Sequence, residues 1–288
     1  MSEGYSNREL IEALRAQRTQ GVRGGIYWKT QIDLAYNSNR IEGSRLTKDQ
    51  TRSIFERGRV QGSATVRDIK ETDNHFMMFD YMLDTLDEGT NIEGIRTLHR
   101  ILKAGGSHDD GAGAWKLVPN EVGNIRTVAP AQVGYEVGRL VDTYNGYKRS
   151  GKTVGLLQVL AFHVQYERIH PFLDGNGRTG RCLMFAQCLQ NDIPPFIIYD
   201  DDKDEYMQAL AGWNPDNTAP FVSFCERLQQ SYQEEYLYLL DNTYLSVAQD
   251  IDRSFEDMCS QPSLGDEAKD ARAAVQREGW PGKGAVER

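Results

Sequence analysis

Cysteine is scarce, four residues in 288, and Cys182, Cys188, Cys225 and Cys259 form no Cys-x-x-Cys pair and stand at no zinc-ligand spacing. Neither a disulfide frame nor a structural zinc follows, and the thiols read as small apolar residues of a reducing compartment. Basic charge is also short: 33 Lys+Arg against 42 Asp+Glu leave a formal net charge of −9. A polyphosphate chain needs a cationic partner, so direct nucleic-acid binding is not expected. There is no apolar run of about 18 residues, and Glu3, Arg8, Glu9, Glu12, Arg15 and Arg18 break up the N-terminal segment. No membrane span or secretory leader is expected, and the expected location is cytoplasmic. Internal repeats of solenoid period are absent too.

What remains is the composition of a globular protein, 39% hydrophobic and 26% charged, with helix signals throughout. Thr47 with Gln50 and Thr90 with Glu93 fit the capping box, predicting helices that start near 48 and 91 and stop at Gly58 and at Gly105-Gly106. Residues 68–86 carry apolar side chains at helical spacing, and Pro130 fits the first turn of a helix with Val133, Val137, Leu140, Val141 and Tyr144 on its buried face. Further helices are expected over about 153–168, 178–190, 202–211, with Asp202 as N-cap, and 221–240. A hairpin between about 116 and 128 is the best strand candidate. Residues 260–288 are polar and rich in turn formers, a loosely held tail with one short helix expected at 266–278.

Chemistry concentrates in Ile169-His170-Pro171-Phe172-Leu173-Asp174-Gly175-Asn176-Gly177-Arg178-Thr179-Gly180-Arg181. Glycines at 175 and 177 let successive N–H groups point into one cavity, and a helix start just after them adds its positive end, which makes a phosphate nest. Arg178 and Arg181, three apart, lie on one helix face and add guanidinium charge. Asp174 offers a hard oxygen ligand for Mg²⁺ beside the phosphates. His170 is a histidine, the side-chain type that accepts a proton from a hydroxyl at neutral pH. Asn176 places a side-chain amide in the nest.

The string His-Pro-Phe-x-Asp-Gly-Asn-Gly-Arg-x-x-Arg resembles the Fic motif at every fixed position, and the resemblance extends over about residues 34–228, including His99, His163 and Tyr206. It implies a mainly α, Fic-fold helical bundle with a β-hairpin flap beside the site. The implied layout is an N-terminal helical region over 1–60, a catalytic core over 61–240 and a C-terminal helical extension with a polar tail over 241–288. The implied activity is AMP transfer from ATP to a Tyr, Thr or Ser hydroxyl of a target protein. In that reading His170 is the general base, Asp174 holds Mg²⁺, Gly175, Asn176 and Gly177 cradle the α- and β-phosphates, and Arg178 and Arg181 bind the distal ones. The flap at about 116–126 would hold the target protein as an added strand. Ser38-Asn39-Arg40-Ile41-Glu42-Gly43 resembles the family's N-terminal inhibitory helix, which implies that Glu42 pairs with Arg181 and keeps the enzyme switched off. Self-association is compatible with such regulation.

Two other activities fit the same residues: removal of AMP from a modified protein at this site, and nucleotide binding by a catalytically idle adaptor. Gly175-x-Gly177-x-x-Gly180 also satisfies the dinucleotide-binding pattern, with Phe196–Asp200 as a short strand ending in an acid. The charged, proline-broken segment before the first glycine argues against it. His99 and His163 read as satisfied core histidines, and His75 and His108 as surface residues.

Overall fold

The computed structural model describes residues 7–106, 111–122, 125–236 and 239–240. Its chain order is α1 (Asn7–Gln20), α2 (Ile26–Ile41), α3 (Lys48–Arg57), α4 (Val66–Asp84), α5 (Ile92–Lys103), strands β1 (Glu121–Val122) and β2 (Ile125–Arg126), α6 (Val133–Arg149), α7 (Leu156–Ile169), α8 (Asn176–Leu189), α9 (Lys203–Gly212) and α10 (Ala219–Tyr236). The expected mainly helical class holds. The strands pair antiparallel, Glu121 opposite Arg126 and Val122 opposite Ile125. The expected turn at Gly123-Asn124, His108, Cys259, the tail and its helix at 266–278 lie outside the described residues. No described helix is long and apolar enough to cross a membrane.

Helix α8 is the axle of the fold. Every one of its residues except Gly177 is buried, the signature of a helix covered on all sides, and α7, α5, α4, α2 and α1 pack around it. The main apolar core runs from Leu10 of α1 to Leu239 through Phe79, Leu102, Phe172 and Phe185. The cover over α8 includes α2, which brings the segment before Gly43 onto the helix that carries the arginines.

Local chemistry explains most boundaries. Thr47 and Gln50 form both halves of the expected capping box, and Gly58 closes α3 in the left-handed region at φ 63°. Pro130 opens a short 3-10 turn that leads into α6. Other expectations need correction. The cap of α5 is Asn91, whose side chain accepts from Gly94 N at 2.7 Å, because this side chain lies one residue nearer the first turn than Thr90. Thr90 instead contacts Gln187 and Gln190. Asp202 makes no side-chain cap bond; its carboxylate faces Arg227. The segment 194–199 is not a strand, which removes the dinucleotide-fold reading. His75 is buried, not on the surface, since α4 is covered by α2, α3, α5 and α8.

Candidate active site

Helix α7 ends where His170 adopts φ 49° and ψ 64° as its C-cap. A left-handed conformation is uncommon outside glycine, and Pro171 behind it cannot continue the helix. The chain therefore turns, runs through Phe172 and Asp174, and re-enters a helix at Asn176 with Gly175 at φ 84° as N-cap. Helix α8 thus starts two residues earlier than expected, so Gly177 lies in its first turn. The loop is braced from within: Asn176 Oδ1 accepts from Phe172 N and Asn176 Nδ2 donates to Phe172 O, both at 2.8 Å. The Asn176 amide is thereby committed to the loop, and the expectation that it faces the nest does not hold.

His99 supports the loop from below. Its ring stacks on Phe172 at 3.7 Å between centroids. Because Nδ1 accepts from Gly113 N at 2.9 Å, Nε2 carries the proton and donates to Asp174 O at 2.8 Å. Burial pushes the His99 pKa down to about 4, so the ring is neutral at physiological pH and acts as a fixed strut. His163 is similar: buried, with a pKa lowered to about 4, it pairs through Nε2 with Tyr206 Oη at 2.7 Å.

Two ion clusters flank the nest. In the first, Glu71 of α4 accepts from Lys103 at 2.6 Å and from Arg178 at 2.6 Å, and Asp174 accepts from Lys103 at 2.8 Å and Arg67 at 3.3 Å. Lys103 and Arg178 are both almost wholly buried, so the carboxylates are their required counter-charges. Burial works to raise the Asp174 pKa, but the Lys103 hydrogen bond, the Arg178 and Lys103 charges and the Gly175 N–H overcome it and hold the carboxyl at about 2. In the second cluster, buried Arg181 donates to Ser38 Oγ at 3.0 Å, to Ser38 O at 2.9 Å and to Glu42 Oε1 at 2.7 Å.

Glu42 is set in place by the end of α2. It is the C-cap, and Gly43 takes the left-handed φ of 92° that ends the helix, while Gly43 N and Ser44 N return to the carbonyls of Arg40 and Asn39. The Glu42 carboxylate then lies over Gly177, where a Cβ would collide with Oε1. Glycine at 177 thus leaves room for that carboxylate in its present position, while its φ is ordinary.

The hairpin is tied to the same loop. Buried Lys116 donates to Asn120 Oδ1 and Thr127 Oγ1, both at 2.6 Å, and to Ile169 O at 3.1 Å. Lys116 N donates to Pro171 O, and Asn120 Nδ2 donates to Phe172 O, each at 2.9 Å. The strands therefore rise from a base bonded to the residues on either side of His170, leaving Leu117 exposed beside it.

Residues 89–188 match the Fic/DOC family. The chain carries a Fic domain. It is 29% identical over 209 residues to protein adenylyltransferase Fic of Nematostella vectensis, covering 70% of this chain and 48% of that protein. Protein adenylyltransferase fic-1 of Caenorhabditis elegans is 28% identical over 215 residues, covering 73% of this chain and 42% of that protein. The chain thus spans less than half the length of these relatives. The crystal structure of a Fic-domain-containing signaling protein from Bacteroides thetaiotaomicron superposes with a TM-score of 0.65 at 24% identity, covering 78% of this chain and 92% of that one. Fic-1 from C. elegans gives 0.61 at 24% identity, covering 81% and 72%. The helical bundle described above is therefore the Fic fold.

His170, Asp174, Gly175, Gly177 and Arg181 lie on the turn from α7 into α8 and the first turns of α8, and Ser38 and Glu42, with Gly43 ending α2, reach Arg181 from outside the matched residues. Arg178 is buried, donating to Glu71 at 2.6 Å and standing 3.5 Å from Asp174. Sequence reasoning missed Glu71, Arg67, Lys103 and Lys116. None belongs to a local motif, and only the capped, amphipathic α5 hinted that a lysine at its last turn would be drawn inward. As for Mg²⁺, no cluster of three ligand side chains exists among the described residues. The single, partly exposed, fully ionised Asp174 carboxylate at the nest mouth fits an ion that takes one protein carboxylate and completes its shell with water and phosphate.

Proposed function

We propose that this chain is a protein adenylyltransferase: it transfers AMP from ATP to a Tyr, Thr or Ser hydroxyl of a target protein and is held off by Glu42. The observation that carries this reading is the placement of a carboxylate, Glu42, on the Arg181 guanidinium and directly over Gly177, where the triphosphate of a nucleotide would find its anion site. A carboxylate there satisfies the same donors that a phosphate would, and it must leave before a phosphate binds.

With Glu42 displaced, the first-turn N–H groups of α8 receive phosphate oxygens at the positive end of the helix, and Arg181 takes the distal phosphate. Asp174 would hold Mg²⁺, which neutralises phosphate charge when bound. The target rests along the hairpin as an added strand, with its hydroxyl at His170. The hydroxyl oxygen forms a bond to the α-phosphorus, the bond to the pyrophosphate oxygen breaks, and His170 Nε2 takes the hydroxyl proton. Arg178 contributes through Glu71 by fixing the base of α8, a role that differs from direct binding of a distal phosphate.

Intact-mass analysis of the Glu42→Gly variant after incubation with ATP, Mg²⁺ and cell lysate tests the proposal. Addition of adenylate to this chain or to a lysate protein is the expected result. ATP consumption without adenylate on any protein would overturn it.

A further inference from the structure

We infer that Glu167 is the positioning residue for the His170 imidazole, with its carboxylate behind the Nδ1 side of the ring so that Nε2 is left to meet the hydroxyl. The inference rests on the adenylyl-transfer reading above and assigns a role to a side chain outside the motif. Glu167 lies three residues before His170, one helical turn back, and its Oε2 approaches His170 Nδ1 to 3.6 Å while its backbone carbonyl stands 3.3 Å from the same nitrogen. Both acceptors face one ring nitrogen, so that nitrogen carries the proton and the other is free to accept.

The surroundings of Glu167 are those of an enclosed acid, not of a solvated one. Its side chain is 11% exposed. The remaining oxygen, Oε1, is buried with no hydrogen-bond partner, a cost that a merely structural carboxylate at a helix end would avoid by turning to water. Room for it is made by Gly180 of α8, where a Cβ would lie 2.5 Å from Oε1. The titratable groups facing it are His163 and Tyr166 on its own helix, Arg181 on α8 and Tyr206 on α9. Burial tends to raise the Glu167 pKa, but the hydrogen bond from His170 and the charge of Arg181 offset this and keep it below the ordinary range. An ionised carboxylate at this distance opposes nothing in the resting site and stabilises the imidazolium that forms when His170 Nε2 takes the hydroxyl proton. The Nδ1 proton stays where it is, so Glu167 itself takes up no proton.

The test uses the full chain in two arms. In the Glu42→Gly background, Glu167→Gln should lower kcat by roughly tenfold or more with the KM for ATP within about twofold. It should also move the acid limb of kcat/KM down by about one pH unit, because loss of the negative charge makes the imidazolium easier to deprotonate; Glu167→Asp should restore part of both. Unchanged kcat and an unchanged acid limb would overturn the inference, whereas absence of transfer in Glu42→Gly alone would overturn the activity and leave Glu167 to the second arm. That arm is nitrogen NMR of the His170 ring in the unaltered protein, which needs neither activity nor a variant. Protonation at Nδ1 with a bare Nε2 is expected, and the opposite tautomer would overturn the inference.

Discussion

Glu42 Oε1 and Arg181 Nη2 meet at 2.7 Å across 139 residues of chain, and the arginine end of this pair is buried. Ser38, one turn before Glu42 on α2, adds two more acceptors to the same guanidinium. The Arg181 guanidinium is therefore held by a three-point clasp, and under the proposed autoinhibition its parts should differ in weight. Glu42→Gly removes the carboxylate from the anion site and should raise adenylate labelling by tenfold or more. Ser38→Ala removes one charge-assisted hydrogen bond, worth about 1.5–3 kcal/mol, but leaves Glu42 in place, so its rise should be smaller. Labelling with ATP radioactive at the α-phosphate ranks the two; equal rates for wild type and Glu42→Gly would show that the clasp restrains nothing.

His170→Ala should separate chemistry from binding. The nest is built by the start of α8 and by Asn176 bracing Phe172, and neither uses the imidazole. Transfer in the Glu42→Gly background should fall by about 10²–10⁴, the usual worth of a general base. The rise in melting temperature on adding ATP and Mg²⁺ should persist. Loss of the ATP-dependent shift together with activity would mean that His170 organises the pocket and is no mere proton acceptor.

Glu71 is the counter-charge on which the inner end of the site depends. It faces Lys103 and Arg178 at 2.6 Å each and Arg67 at 3.3 Å. Glu71→Gln keeps the shape but leaves two buried cations short of an anion, which should cost about 3–5 kcal/mol. Urea denaturation measures it. Adding Lys103→Met and Arg178→Leu to that variant should recover much of the loss, because the desolvated charges then vanish together.

These residues show where sequence reasoning reaches and where it stops. The twelve-residue motif was legible because its chemistry is contiguous: a histidine, a carboxylate, glycines and arginines at fixed spacing need no partner from elsewhere to declare a phosphate site. Glu42 stands out only through the resemblance of Ser38–Gly43 to an inhibitory segment; taken alone it reads as a solvent-facing acid before a helix-ending glycine, and the contact with Arg181 is seen only in the fold. Glu71 was not legible, because its partners stand 32 and 107 positions away and a glutamate on a helix reads as solvated until the packing of α4 against α5 and α8 is seen. His75 failed in the same way: a polar residue inside a helix covered on several sides leaves no periodic signal. Asn176 was placed correctly and its role was misjudged, because a side-chain amide near a nest serves the nest or the loop equally well on paper, and only the paired bonds to Phe172 decide between them. The Thr90 box gave way to Asn91 since two cap residues in a row compete for the same first-turn N–H, and pattern matching does not rank them.

The low pKa of Asp174 sets a pH window for stability. Its folded value of about 2 lies below the roughly 3.9 of an unfolded aspartate, so the unfolded chain binds the proton more readily in acid. The contribution is therefore complete above about pH 5 and is lost as the pH falls toward the folded value. A shift of this size corresponds to at most about 2.6 kcal/mol, and solvent screening of a side chain one-third exposed reduces that to about 1–2 kcal/mol. Denaturation of the wild type and of Asp174→Asn at several pH values between 7 and 2.5 should show a stability gap that is level down to about pH 5 and then narrows by roughly two-thirds of that amount at the acid end. A gap of constant width would mean that Lys103 and Arg178 gain nothing from ionised Asp174, and Glu71 alone would then hold both cations in the interior.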